Sequence, residues 1–264
     1  MKSECFCGDA SELLKGVGDE TIDLTVTSPP YDELRTYNGY AFDYREILRQ
    51  LYRVTKAGGV VVWVVADQTR NGSESGTSFK QALYAMECGF NLHDTMIWLK
   101  DTCAFPETSR YYQCMEYMFV FSKGKPKTVN LIADKKNKWS GTNIHGTYRT
   151  AEGNTKKRDA VWKESVTQDY GVRTNVWEIP TEKANKTGHP AVFPEKLVAD
   201  HLRTWSQEGD TVLDPFLGSG TTRIVAYDMK RDFIGFEISE EYFEKQEQRF
   251  KRHSAQMNLF VDEI

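Results

Sequence analysis

Thr211-Val212-Leu213-Asp214-Pro215-Phe216-Leu217-Gly218-Ser219-Gly220-Thr221-Thr222 decides the fold class. A short apolar run with a β-branched start reads as a strand. Asp-Pro ends it, because proline cannot continue a central ladder. Gly218-Ser219-Gly220 then supplies a turn in which the backbone can approach a ligand closely, and Thr221 opens a helix running to about Met229. A further strand, Phe233-Ile234-Gly235-Phe236-Glu237, ends in a carboxylate. Strand, glycine turn, helix and strand make one unit of a parallel α/β sheet with a binding edge at the strands' carboxyl ends.

The chemistry of that edge can be read from residue types. A phosphate-cradling loop needs lysine after its last glycine, and Thr221 stands there instead. A carboxylate at the end of the next strand can accept both hydroxyls of a ribose. The expected ligand is therefore a nucleoside without a phosphate tail, a description that S-adenosylmethionine fits. The candidate cofactor residues are Asp214, Phe216, Gly218, Ser219, Gly220, Thr221 and Glu237.

A second loop of this kind lies near the start. Ile22-Asp23-Leu24-Thr25-Val26-Thr27 reads as a strand and runs into Ser28-Pro29-Pro30-Tyr31. The two prolines stiffen the loop. The Ser28 hydroxyl and the Pro29 carbonyl can accept hydrogen bonds from an amino group, and Tyr31 offers a ring for a base to stack on.

Between the two loops, strands and amphipathic helices alternate. Asp43 with Glu46 reads as a capping box, followed by an apolar face of Tyr44, Ile47, Leu48, Leu51 and Val54, with Gly58-Gly59 as the stop. Val60 to Val65 is an unbroken apolar run, as in a central parallel strand. Ser78 and Gln81 repeat the capping box ahead of Phe79, Ala82, Leu83 and Met86. Strands are expected from Asp94 to Leu99 and from Glu116 to Ser122, the second antiparallel. Pro194 opens a helix with Leu197, Val198, His201, Leu202 and Trp205 on one face. A last helix opens at Ser239 and closes with Arg249, Lys251 and Arg252.

Composition sets outer bounds. Hydrophobic residues make up 39% and charged residues 27% of 264, ordinary for a soluble α/β domain with an insertion. No run of about 18 apolar residues suggests a membrane span, and the N-terminus lacks a signal-peptide core. A cytoplasmic location is the expectation. The five cysteines include no Cys-x-x-Cys pair, which argues against a disulfide framework or a metal site. From Lys123 to Lys163, eleven basic residues face three acidic ones, a net of +8 that leaves −12 for the rest of a chain totalling −4. Such a basic island reads either as a solvated loop or as a phosphate-binding patch. Its candidate DNA contacts are Lys135, Lys136, Lys138, Arg149, Lys156, Lys157 and Arg158.

Taken together, the two loops resemble those of the DNA amino-methyltransferases. Catalytic loop first and cofactor loop last is the order of the family's beta class. Further likenesses are Cys7-Gly8-Asp9, Arg53 to Gly59, Ile97-Trp98-Leu99-Lys100 and Gly188-His189-Pro190-Ala191-Val192-Phe193-Pro194. The resemblance implies a Rossmann-like methyltransferase fold with circularly permuted motif order and a mostly parallel seven-stranded sheet. Residues 1–123 would form the catalytic half, 124–186 an inserted target-recognition region, 187–255 the cofactor half and 256–264 a tail. It implies S-adenosylmethionine as cofactor, with Asp9 on the adenine amino group and His189 in the segment that closes over the methionine end. It implies double-stranded DNA as substrate, a flipped target base, no metal and a place in restriction-modification. A second copy of the chain is a further candidate partner.

The serine form of the catalytic loop is the one more often associated with cytosine N4. The aspartate form usually goes with adenine N6, which stays open as the alternative. A non-catalytic DNA-binding module and a protein-glutamine methyltransferase, whose loop is usually Asn-Pro-Pro-Tyr, are the rivals of other classes. The tail Gln256-Met257-Asn258-Leu259-Phe260 partly resembles the bacterial sliding-clamp peptide through Gln256, Leu259 and Phe260. Its apolar pair needs burial against the chain itself, a second subunit or a clamp.

Overall fold

The computed structural model describes residues 1–30, 42–103, 109–144, 146–158, 166–182 and 192–261, with the side chains of the last helix described to Gln256. In chain order its strands are β1 (Ser3–Cys7), β2 (Ile22–Thr27), β3 (Thr55–Val65), β4 (Thr69–Arg70), β5 (Ser73–Glu74), β6 (Asn91–Leu99) and β7 (Met115–Ser122). They continue with β8 (Lys135–Lys136), β9 (Thr147–Arg149), β10 (Thr155–Lys157), β11 (Tyr170–Gly171), β12 (Val176–Glu178), β13 (Thr211–Asp214) and β14 (Asp232–Glu237). The α-helices are α1 (Ala10–Leu13), α2 (Tyr44–Val54), α3 (Thr77–Glu87), α4 (Glu195–Trp205), α5 (Thr221–Asp228) and α6 (Glu240–Val261).

The central sheet runs β1-β14-β13-β2-β3-β7-β6-β12. Within it β7 alone is antiparallel, pairing so with both β3 and β6. The sheet has eight strands where seven were expected. The extra one is β12, which pairs in parallel with β6 and places Trp177 opposite Trp98. Three residues are too short for a periodicity signal. What holds them is burial of Trp177, whose ring stacks on the buried His201 with centroids 4.5 Å apart.

Two apolar layers cover the sheet. One packs Leu197, Val198 and Leu202 of α4 on Val60, Val62 and Val64. The other packs Ile47, Leu48 and Leu51 of α2 on Val61, Trp63 and Val65. Successive residues of β3 thus point to opposite covered faces, which is why the run is apolar without alternation.

Three local expectations shift. Helix α2 does start at the Asp43 cap, whose carboxylate accepts from the backbone N–H groups of Arg45 and Glu46. It ends at Val54, however, and not at Gly58-Gly59. Thr55 is already extended, its hydroxyl donating to the Leu51 carbonyl at 2.6 Å. The two glycines form an irregularity inside β3, where the partner of Ile22 is Thr55 and that of Leu24 is Val60. Gly58 takes a positive φ of 81° there.

Helix α3 is capped by Gly76 and not by Ser78. The Ser78 hydroxyl is buried and donates to Asp67 at 2.5 Å, and Gln81 accepts from the Trp63 indole at 2.8 Å. These polar anchors turn Ser78, Gln81, Ala82 and Ala85 inward and leave Phe79, Leu83 and Met86 exposed.

Helix α6 continues to Val261, so Gln256 to Phe260 are helical and form no tail. An Arg-rich stretch closes few helices when helix-forming residues follow it, as Gln256, Met257 and Leu259 do here.

The chain divides into two compact units, residues 1–130 with 175–264, and Leu131–Thr174. The smaller is narrower than the 124–186 expected, because β12 belongs to the central sheet. It is built from antiparallel pairs: β9 with β10, and β8 with β11. Nine basic residues face five acidic ones in it.

Candidate active site

Four neighbouring strands, β1, β14, β13 and β2, point their carboxyl ends the same way. Adjacent parallel strands lie roughly 4.8 Å apart, so the loops that leave them form one contiguous edge. The edge carries Asp9, Glu237, the glycine turn and Ser28.

The glycine turn is held from all sides. Gly218 and Gly220 have φ of 51° and 79°, a backbone that other residues adopt only with strain. The Leu217 N–H donates to the Phe236 carbonyl at 2.8 Å, and the Gly218 N–H to Glu237 Oε2 at 2.8 Å. Gly220 is also the N-cap of α5, and a Cβ on it would press on Gln246 of α6. From α6, Arg249 donates to the Ser219 carbonyl at 2.9 Å, the Thr221 hydroxyl at 3.1 Å and Glu195 at 3.0 Å. Phe216 packs edge-on between Phe42 and Trp63, with centroids 5.4 and 6.3 Å away.

The carboxylates divide their work. Asp214 is 2% exposed. Its Oδ1 accepts from the Thr27 hydroxyl at 2.7 Å and the Phe216 N–H at 3.1 Å, and its Oδ2 from the Thr222 hydroxyl at 2.7 Å. Burial pushes its pKa up, and these donors oppose the shift. Sequence reading put Asp214 against the cofactor. In the structure its oxygens accept three hydrogen bonds from the protein itself, so it also shapes the turn from beneath.

Glu237 accepts from Ser239 N–H at 2.9 Å as well as from Gly218. Burial likewise raises its pKa, against those backbone donors. A carboxylate offers about four lone-pair sites, so Glu237 can still receive hydroxyl donors. Asp9 caps α1, its Oδ1 accepting from the Ser11 N–H and hydroxyl at 2.7 and 2.5 Å. Two carboxylates, a glycine cradle and no lysine fit a ligand with an amino group, a diol and no phosphate. Among the described residues, no cluster of three or more His, Cys, Asp or Glu side chains stands ready for a metal.

Comparison with known proteins agrees with this chemistry. The family model described as DNA methylase, of the N6/N4 type, matches residues 22–248. The chain belongs to the N6/N4 DNA methylase family. It is 55% identical over 249 residues to the orphan methyltransferase M.BamHII of Bacillus amyloliquefaciens, covering 91% of this chain and 93% of that one. The solved structure of PvuII DNA methyltransferase, titled cytosine-N4-specific, shares the fold with a TM-score of 0.70. Identity there is 22%, with 95% of this chain and 86% of that one covered. A DNA modification methylase from Thermus thermophilus, solved as a complex with S-adenosyl-L-methionine, is 25% identical with a TM-score of 0.62. That match covers 95% of each chain. The methylase is a beta-class DNA amino-methyltransferase that uses S-adenosylmethionine.

The structure brings Asp9, Ser28, Pro29, Pro30, Asp214, Phe216, Gly218, Ser219, Gly220, Thr221 and Glu237 of the methylase to one edge of the sheet. Pro29 is buried, and Ser28 and Pro30 are half-buried. Tyr31 and His189 lie outside the described residues. Sequence reading missed Trp63 and Arg249, the two outer supports of the turn. Trp63 sat in a run explained by burial alone, and Arg249 in a helix end explained by its dipole.

In the methylase's smaller unit, Lys135, Lys136, Lys138, Arg149, Lys156 and Lys157 are exposed and Arg158 is half-buried. Lys156 pairs across the ribbon with Tyr148, and Lys136 with Tyr170. Directly opposed residues share a face, so each pair presents a cation beside an aromatic ring. Lys138 adds a third such pairing with Trp139, 5.4 Å from its ring centroid.

Proposed function

We propose that the methylase transfers a methyl group to the N4 amino group of a cytosine flipped out of double-stranded DNA. The observation that carries this reading is the placement of Ser28-Pro29-Pro30 at the end of β2, on the same edge as the glycine turn of β13. Amino-group acceptor and methyl donor thus share one site. Asp9 and Glu237 would hold the adenine amino group and the ribose hydroxyls, with the glycine turn beneath. When bound, S-adenosylmethionine supplies an electrophilic methyl group on a positively charged sulfur.

The chain's own residues then act on the acceptor. A base in a duplex cannot reach a protein pocket, so it must swing out, at a cost of a few kcal/mol. Tyr31 stacks on it. The exocyclic amine is a poor nucleophile because its lone pair is shared with the ring. Hydrogen bonds from that amine to Ser28 Oγ and the Pro29 carbonyl favour a tetrahedral nitrogen with an available lone pair. Positioning and fixed dipoles supply the acceleration, and no covalent enzyme intermediate is required. The serine at position 28 supports cytosine over adenine. Nucleoside mass spectrometry of DNA treated with the pure enzyme is expected to show N4-methylcytosine. N6-methyladenine alone would reassign the base.

The smaller unit is proposed to bind the duplex, with lysines on phosphates and the interleaved aromatic rings toward the bases. Changing Lys135, Lys136 and Lys138 together to glutamine is expected to weaken DNA binding and flatten its salt dependence. The slope of log K against log salt should fall by about 0.9 for each phosphate that is no longer neutralised. A salt titration with an unchanged slope would remove those lysines from the interface. Two partners are proposals of lower rank, a second copy of the chain and a sliding clamp meeting Gln256, Leu259 and Phe260. A peptide of residues 256–264 titrated against a purified bacterial clamp tests the latter.

A further inference from the structure

The last residue before Ser28-Pro29-Pro30 is Thr27, and its side chain crosses to the cofactor half of the sheet. Its hydroxyl donates to Asp214 Oδ1 at 2.7 Å, a link between residues 187 apart in sequence. Asp214 in turn holds the Phe216 N–H and the Thr222 hydroxyl, which fix the two ends of the glycine turn. One carboxylate therefore fastens both loops. On the opposite side Thr27 pairs in register with Trp63 of β3. The Trp63 ring stands edge-on to Phe216, and its indole is fixed by Gln81.

The neighbouring threonine shows that burial in this strand does not by itself give a hydroxyl a partner. Thr25 lies on the same face of β2, is fully buried like Thr27, and its hydroxyl has no hydrogen-bond partner among the described residues. The Thr27 hydroxyl is instead committed to a buried carboxylate, where a hydrogen bond is strong and its loss is costly.

We propose that Thr27 is a positioning residue that sets the reach between methyl donor and acceptor by tying the Ser28-Pro29-Pro30 loop to Asp214. This rests on the assignment of the two loops as acceptor and donor sites. The tie keeps the amino group and the methyl carbon within attacking distance once both ligands are seated. Misplacement of a reacting group by about 1 Å costs as much as a hundredfold in rate.

The test uses the full chain, tritiated S-adenosylmethionine and unmodified chromosomal DNA. Thr27→Val should bind cofactor within about threefold of wild type by calorimetry. Its single-turnover methyl transfer at saturating cofactor and DNA should fall by about tenfold or more. Thr27→Ser, which keeps the hydroxyl, should restore the rate. Thr25→Val should transfer at the wild-type rate. Thr222→Val removes a bond to the same carboxylate without joining the loops, so it should raise the cofactor KM more than it lowers the saturated rate. Thr27→Cys, near in size and a weak donor, should lie between valine and wild type, and serves in place of valine if that variant does not fold. A wild-type rate in Thr27→Val, or equal losses in Thr27→Val and Thr222→Val, would overturn the proposal. If Ser28→Ala is fully active, the acceptor-loop assignment itself has failed. If Ser28→Ala is dead and Thr27→Val is normal, only the tie has failed.

Discussion

Alanine at Ser28 or at Tyr31 is expected to abolish most methyl transfer while cofactor affinity stays near wild type. Both side chains face the acceptor in the proposed arrangement, and neither lies on the glycine turn. For Ser28→Ala the missing acceptor acts only as the amine becomes tetrahedral, so the expected drop is on the order of a hundredfold in the saturated rate. For Tyr31→Ala the loss is a stacking platform, about 1–3 kcal/mol per base, or roughly five- to 150-fold. Tritium incorporation measured beside calorimetry with S-adenosylmethionine separates the two effects. Wild-type turnover in either variant would remove that residue from the acceptor site.

Cofactor binding should instead be lost in Asp214→Ala and Glu237→Ala, for two different reasons. Asp214→Ala strands the buried Thr27 and Thr222 hydroxyls and the Phe216 N–H. Each unpaired group costs about 1–3 kcal/mol, so this variant should melt at a lower temperature as well. Glu237→Ala removes the proposed acceptor for the ribose and frees only the backbone N–H groups of Gly218 and Ser239. Its stability should fall less than that of Asp214→Ala, for an equal loss of affinity. Unchanged cofactor Kd in both variants would refute the site.

The same burial gives a pH dependence. Burial raises the Glu237 pKa from its ordinary carboxylate value because desolvation disfavours its charge, against the backbone donors of Ser239 and Gly218. In the proposed role Glu237 binds the ribose as the carboxylate, so affinity is present above that raised value and is lost as pH falls through it. A carboxylate raised in the folded state also weakens the fold when ionised. Stability linked to Glu237 and Asp214 is therefore fully present below the unfolded value and declines as pH rises through the folded one. As pH rises from about 4 to 8, cofactor affinity should thus increase while the melting temperature linked to this pair of groups falls. A cofactor Kd independent of pH over that range would remove Glu237 from the ribose.

Much of this could be read from short stretches. Gly218 and Gly220 announce positive φ values, Pro29-Pro30 a stiff loop, and the apolar run of β3 a doubly covered strand, because each is a constraint acting over a few residues. The absence of lysine at Thr221 already removed phosphate from the range of ligands. Chemistry that depends on the kind of residue at one place survives without knowledge of its neighbours.

What the tertiary structure decided is where side chains spend their polar atoms. Helix α3 turns on Ser78 and Gln81, whose partners Asp67 and Trp63 lie outside that helix, so the apolar spacing alone pointed to the wrong face. Val176–Glu178 becomes a strand only because the Trp98 strand is there to receive it. Asp214 reads in the sequence as a cofactor residue, and only the structure shows that it also ties Thr27 and Thr222, one on each oxygen. A buried polar atom must find a partner, and the sheet order, which sets β2 beside β13 across most of the chain, determines which partner is within reach.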